Sequence, residues 1–221
     1  TDELRGAMRR FSAVGASGIV MDAHTGELVA MASLPSFDPN EPGDPEKTPH
    51  FNRAAQGVYE MGSVFKISTT ASVLDSNQVR LSDRFDVSEP IYAGGYAITD
   101  FKPKDGKLTV PEIFMHSSNI GTVHMAMEAG TKVQKRTMAD LGLTTAASLE
   151  LPEIGTPMVP SPWREINTMT ISYGHGLAVT PVQLAAAVAA TVNGGLLPKP
   201  TLLARNDAGP AESRRVFAPE T

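Results

Sequence analysis

The sequence predicts a mixed α/β (α+β) domain, and three stretches carry that prediction. Residues 17–33 read as a β-hairpin, with His24-Thr25-Gly26 as the turn between Val20 and Leu28-Val29. Apolar residues at helical spacing follow Ser63 (Ile67, Ala71, Val73, Leu74) and flank residues 116–119. An alanine-rich segment opens at Thr180-Pro181 and closes at Asn193-Gly194-Gly195, an N-cap, a first-turn proline and a glycine stop.

Taken in order, Leu4, Met8 and Phe11 mark a short amphipathic helix with Arg5, Arg9 and Arg10 on its wet side. The hairpin comes next. Residues 35–49, with five prolines among acidic residues, read as a solvated loop. A helix then runs from Ser63 to about Asp75. Residues 82–107 carry turn signals at Ala93-Gly94-Gly95-Tyr96 and Asp105-Gly106 and read as irregular β structure. Helices dominate to about Leu143, and a proline-rich passage surrounds Trp163. Residues 170–176 form a glycine-broken loop before the alanine-rich helix.

Composition bounds the function. At 221 residues and 41% hydrophobic, the chain supports one sizeable core, or one plus a small lobe. A net charge of −5 with 19 Lys+Arg gives no basic footprint for nucleic acid. Zero cysteine excludes thiolate catalysis, and the five scattered histidines form no metalloprotease-like pair, so neither metal nor other cofactor is expected. No apolar run approaches the roughly 18 residues that span a membrane.

Chemistry concentrates in Ser63-Val64-Phe65-Lys66. Residues three apart share a helix face, so the Ser63 hydroxyl and the Lys66 amine come within hydrogen-bond reach. Gly62 leaves room for a substrate to approach the backbone, and first-turn amides carry the positive helix end, where an oxyanion is stabilised. That positive end and burial under Phe65 lower the lysine pKa, and a neutral lysine takes a serine proton. Such a tetrapeptide arises by chance on the order of once in a chain this long, and by itself also fits a helix start with an exposed lysine. Ser117-Ser118-Asn119, a polar knot between apolar helical segments, reads as a tight interhelical turn, with ordinary helix capping as the plainer account. His175 reads as a loop hydrogen-bonder rather than a catalyst.

Three blocks in order carry a resemblance: Arg53-Ala54 with Tyr59-Glu60-Met61-Gly62-Ser63-Val64-Phe65-Lys66; His116-Ser117-Ser118-Asn119-Ile120-Gly121; and Ser172-Tyr173-Gly174-His175-Gly176 leading to Val179-Thr180-Pro181-Val182-Gln183-Leu184-Ala185. Together they resemble the transpeptidase domain of class B penicillin-binding proteins, the division-type peptidoglycan cross-linking enzymes. The resemblance runs from about Ser17 to the end of the chain.

It implies a penicillin-binding, serine β-lactamase-like fold. It also implies Ser63 as the nucleophile acylated by a D-Ala-D-Ala stem peptide, Lys66 assisting its deprotonation, Ser117 relaying a proton to the leaving amine, and Asn119 holding Lys66 and the substrate amide. Gly62, Ser118, Tyr173 and Gly174 would line the substrate, and β-lactams would be inhibitors. The base assignment in related serine-x-x-lysine enzymes is disputed, so acyl transfer through Ser63 is the firmer part. A D,D-carboxypeptidase or serine β-lactamase shares the nucleophile, and a non-catalytic division scaffold is the reading from another class.

One signature departs. No lysine-threonine-glycine or lysine-serine-glycine follows Asn119; Lys47-Thr48-Pro49 has proline where glycine is needed, and His24-Thr25-Gly26 is the hairpin turn. The expectation is a partial transpeptidase domain over residues 1–221, helix-rich lobe largely present, central sheet incomplete, with the N-terminal anchor, the pedestal and the C-terminal strands absent. Loss of one oxyanion donor costs about a hundred- to a thousandfold in rate, so this stretch alone is expected to be a poor catalyst. The resemblance places the protein at the periplasmic face of the bacterial inner membrane, attached only through that absent anchor, with divisome proteins as partners. An unpaired hairpin edge would favour self-association.

Overall fold

The structure, a computed structural model, describes residues 1–38, 40–44, 46, 50–204 and 211–221. Lys47-Thr48-Pro49 and prolines 39 and 45 lie outside the described residues. Helix α1 (Asp2–Phe11) has Asp2 and Glu3 in its first turn and Arg9 and Arg10 in its last, charges that suit the helix dipole. It buries no residue, and Phe11 is 70% exposed, so the amphipathic pattern marks its extent without sealing its apolar face.

Strands β1 (Ala16–Met21) and β2 (Leu28–Leu34) form the expected antiparallel hairpin, from Ala16 opposite Leu34 to Met21 opposite Leu28. The Asp22 carboxylate closes the turn by accepting the His24 and Thr25 N–H groups, which hold it below its ordinary pKa. Two-residue β3 (Tyr59–Glu60) leads into a 3-10 turn, Gly62–Val64, and then α2 (Phe65–Asp75). Short strands β4 (Arg84–Asp86), β5 (Ile91–Ala93), β6 (Tyr96–Ile98) and β7 (Lys107–Thr109) make the irregular β region: β4 pairs β7, and β5 pairs β6 across Gly94-Gly95.

Helices α3 (Val110–His116), α4 (Asn119–Ala129) and α5 (Thr131–Asp140) follow. Thr109 and Glu112 cap α3 reciprocally: the Thr109 N–H donates to the Glu112 carboxylate at 2.7 Å, and the Glu112 N–H to the Thr109 hydroxyl at 3.4 Å. Helix α6 (Glu165–Ser172) corrects the sequence reading, since residues 170–172 close a helix and the glycine-broken loop begins only at Tyr173. Strand β8 (Ala178–Val179) pairs β3, and α7 (Pro181–Val192) opens on Thr180 with the expected cap. Strands β9 (Leu196–Pro198) and β10 (Ser213–Arg215) pair after it; Leu-Leu-Pro and Ser-Arg-Arg show no alternation that marks a strand.

Among the described residues the strands form five two-stranded ladders, and the hairpin's only further pairing is an isolated bridge from Glu27 to Thr201. Helix α2 is the axis, packed against α3, α4, α5, α6 and α7. It gives Phe65 to one core, with Met138, Leu141, Leu143, Ile171, Leu177 and Ala187, and Val73 to a second, with Val79, Val110, Ile113 and Met125. Surrounded as it is, the helix bonds two of its polar residues inside the protein: Thr69 donates to the Ser172 carbonyl at 2.8 Å, and the Ser72 and Thr137 hydroxyls pair at 2.8 Å, while the Ser68 and Thr70 hydroxyls are buried without a partner among the described residues.

Truncating Met138, fully buried in the first core, is expected to cost about 2–5 kcal/mol as Met138→Ala in urea unfolding. The exposed Met115 is the control, and its alanine variant should stay within about 0.5 kcal/mol of wild type. Equal effects at both positions would contradict this packing.

Candidate active site

Lys66 sits at the second position of α2 with 3% of its surface exposed. Its ammonium donates to the Ser117 carbonyl at 2.5 Å, the Ser117 hydroxyl at 2.9 Å and the Asn119 Oδ1 at 2.7 Å. Three protons meet three acceptors, the full capacity of the group. Burial nevertheless pushes the lysine pKa down to about 8, against an upward pull from the Asp100 carboxylate. The neutral amine is therefore far more accessible near neutral pH than in a free lysine.

The facing turn is built by two helix ends. Ser117 ends α3 in the left-handed conformation, at φ 54° and ψ 42°, so the chain reverses within one residue. Ser118 begins α4 as its N-cap, accepting the Gly121 N–H at 2.9 Å. Gly121 is required by contact: a Cβ there would lie 2.5 Å from Ile113 and force α3 and α4 apart. Asn119 is held at both ends of its amide, accepting from Lys66 and donating to the Thr99 carbonyl at 2.8 Å.

Asp100 is the residue that sequence reasoning missed. It is 8% exposed, and it accepts the Ser118 hydroxyl at 2.6 Å, the Asn119 N–H at 2.5 Å and the Ile120 N–H at 3.0 Å. A carboxylate on the first amides of α4 fixes the Ser117–Asn119 turn and favours the charged form of Lys66. The one available signal was an acid in a turn-rich stretch otherwise read as irregular β.

Two expectations are corrected. Ser118 was expected against substrate, but it is 2% exposed and its hydroxyl is committed to Asp100 and the α4 cap. The Ser63–Lys66 hydrogen bond is absent among the described residues, because all three lysine protons go to the opposite turn. Ser63 itself is exposed, as is Ser117, whose hydroxyl bonds the buried ammonium.

Gly62 and Gly174 are brought together. The Gly62 N–H donates to the Gly174 carbonyl at 3.1 Å, and a Cβ on Gly174 would lie 1.9 Å from the Gly62 oxygen. Gly62 has φ +57° and Gly174 φ +94°, both in the region that favours glycine. Tyr173 lies beside this contact, half-buried, its phenol pKa raised by burial. His175 is a loop hydrogen-bonder, as expected, and its partner is the Glu60 carboxylate on β3 at 3.1 Å.

A serine-led helix through the middle of an α/β domain, its lysine buried against a serine-x-asparagine turn, defines a class of protein. The family model described as "Penicillin binding protein transpeptidase domain" matches residues 16–221, and the chain belongs to that family. It is 39% identical over 220 residues to the probable peptidoglycan D,D-transpeptidase FtsI of Caulobacter vibrioides (strain NA1000 / CB15N), covering 100% of this chain and 37% of that protein. It is 31% identical over 217 residues to the peptidoglycan D,D-transpeptidase FtsI of Escherichia coli (strain K12), covering 97% and 36%. The apo structure of the TP domain from Burkholderia pseudomallei penicillin-binding protein 3 superposes with a TM-score of 0.86 at 30% identity, covering 99% of this chain and 62% of that one. The chain thus spans between about a third and a half of the length of the curated relatives it matches.

Asp100→Asn tests the electrostatics. Losing the carboxylate removes the upward pull, so the Lys66 pKa falls below about 8, and any rate that needs the neutral amine rises at a lower pH than in wild type. The lost charge-assisted bonds should cost about 1.5–3 kcal/mol of stability in urea. A pH profile that stays in place would show that Asp100 does not act on Lys66.

Proposed function

We propose that the protein cross-links peptidoglycan by acyl transfer, as a serine-type D,D-transpeptidase of which these 221 residues are part of the catalytic domain. The observation that carries this reading is the Lys66 ammonium, buried in contact with Ser117 and Asn119 and three residues from Ser63. Family membership and the relatives' names support it.

In the proposed reaction the Ser63 oxygen attacks the carbonyl carbon of the penultimate D-Ala of a stem peptide. Its proton passes to neutral Lys66, an ester forms, and the amide to the terminal D-Ala breaks. Ser117, hydrogen-bonded to Lys66, returns the proton to that leaving amine. An amine from a neighbouring stem peptide then attacks the ester carbonyl, the ester C–O bond breaks, and a proton from that amine passes by way of Lys66 to the Ser63 oxygen, freeing Ser63 and completing the cross-link. A β-lactam enters by the first half alone: its ring amide opens on Ser63. Gly62, Tyr173 and Gly174 border the substrate in this reading, and the first-turn amides receive the oxyanion.

We further propose that the reaction takes place at the periplasmic face of the bacterial inner membrane, with divisome proteins as partners. Among the described residues no helix is long and apolar enough to cross a membrane. Beyond the contact with Thr201, the hairpin edges pair with no further strand among the described residues, which favours association between copies of this 221-residue chain; light scattering should show species larger than a monomer, and a clean monomer would refute it.

A fluorescent penicillin tests the chemistry. In the intact protein it should label Ser63 covalently, Ser63→Ala should abolish labelling, and Lys66→Ala should slow it about 10²- to 10⁴-fold. The rate should climb as pH rises through about 8, where Lys66 becomes neutral. An acyl-enzyme that persists for hours separates this reading from a β-lactamase. Labelling that survives Ser63→Ala would end it.

A further inference from the structure

Two segments far apart in sequence bracket the Ser63 turn. Strand β3 pairs β8 in register, Tyr59 opposite Val179 and Glu60 opposite Ala178. Between that ladder and the Gly62–Gly174 bond, the loop 173–176 closes on the turn through one side chain. Glu60 Oε1 accepts the Gly176 N–H at 2.6 Å, and Glu60 Oε2 meets His175 Nδ1 at 3.1 Å. The His175 ring packs edge-on to Tyr173, centroids 5.4 Å apart.

We propose that Glu60 is a positioning residue: its carboxylate latches loop 173–176 to the segment that carries Ser63 and so fixes the backbone of the turn on which the Ser63 hydroxyl stands. The proposal rests on the acyl-transfer reading for its substrate and on geometry for the latch itself.

Three features argue for it. First, Glu60 holds the loop at two consecutive residues, including a backbone N–H, so it constrains the main chain and not merely one side chain. Second, Gly176 has φ +85° and Gly174 φ +94°, a backbone that relaxes readily unless pinned from outside. Third, the latch is open to water: the Glu60 and His175 side chains are 48% and 56% exposed. Its exposure also means that removing the carboxylate leaves no buried cavity, so a variant there reads the latch and not the core. The Gly176 N–H and His175 also hold the carboxylate below its ordinary pKa, so it is ionised at neutral pH. A shift of the Ser63 turn by about 1 Å is enough to cost on the order of 10² in a reaction that depends on alignment.

The test uses the intact protein and its Glu60→Ala, Glu60→Gln and His175→Ala variants. Two quantities are measured: amide hydrogen exchange at Gly62 and Gly176, and acylation by a fluorescent penicillin resolved into a binding constant and a bond-forming rate. Glu60→Ala should speed exchange at both amides about tenfold and slow bond formation about tenfold, with binding within about twofold. Glu60→Gln keeps an acceptor for the Gly176 N–H and should recover to within about threefold of wild type on both measures. His175→Ala loses one of the two contacts and should fall between them. Unchanged exchange in Glu60→Ala overturns the latch. Equal loss of rate in Glu60→Ala and Glu60→Gln, with exchange as in wild type, would mean the charge acts on the chemistry and also overturns it. A wild type that takes up no penicillin sinks the acyl-transfer reading, while the exchange measurement still decides the latch.

Discussion

A lysine ammonium buried against a turn from another pair of helices is the constraint on which the rest of this structure depends. Taking that charge out of water is costly, and the lowered pKa of Lys66 registers the cost. Three short hydrogen bonds and the Asp100 carboxylate offset it. Each offsetting group must then be fixed in turn. Ser117 is fixed by its left-handed backbone, Asn119 by Thr99, and the whole turn by Asp100 on the first amides of α4. The arrangement leaves the amine poised between charge states near neutral pH, which is what a proton carrier requires.

Backbone contacts hold the other wall. Gly174 and Gly62 approach so closely that a side chain at Gly174 would force the two segments apart. This approach is set by the two-residue ladder of β3 and β8, by Thr180 capping α7, and by the core beneath, where Phe65, Ile171, Leu177 and Val179 are buried together. Apolar burial thus places the loop, while hydrogen bonds decide its register.

Much of this was legible in the residues. The hairpin turn, the Thr180-Pro181 start and the Asn193-Gly194 stop are local signals, and each was met because capping and turn chemistry depend on neighbours in sequence. The three blocks that carry the family resemblance are likewise local patterns. Helix α6 was not legible at its end, since Tyr173-Gly174-His175-Gly176 made the whole stretch read as loop although Thr168 and Ile171 are wholly buried. Strands β9 and β10 escaped because a ladder of three residues leaves no period to count.

By itself the sequence determined the family, the serine-lysine pair and the serine-x-asparagine turn, because those residues must stand at fixed short spacings for the chemistry to work. Tertiary structure alone decided what Lys66 bonds to. Helical spacing pointed it at Ser63, and packing of α2 against the α3–α4 corner gave its protons to Ser117 and Asn119 instead. Only the fold could bring Asp100 beneath that corner and Glu60 beside Gly176, since contacts across some 20 and 116 positions of chain leave no local trace.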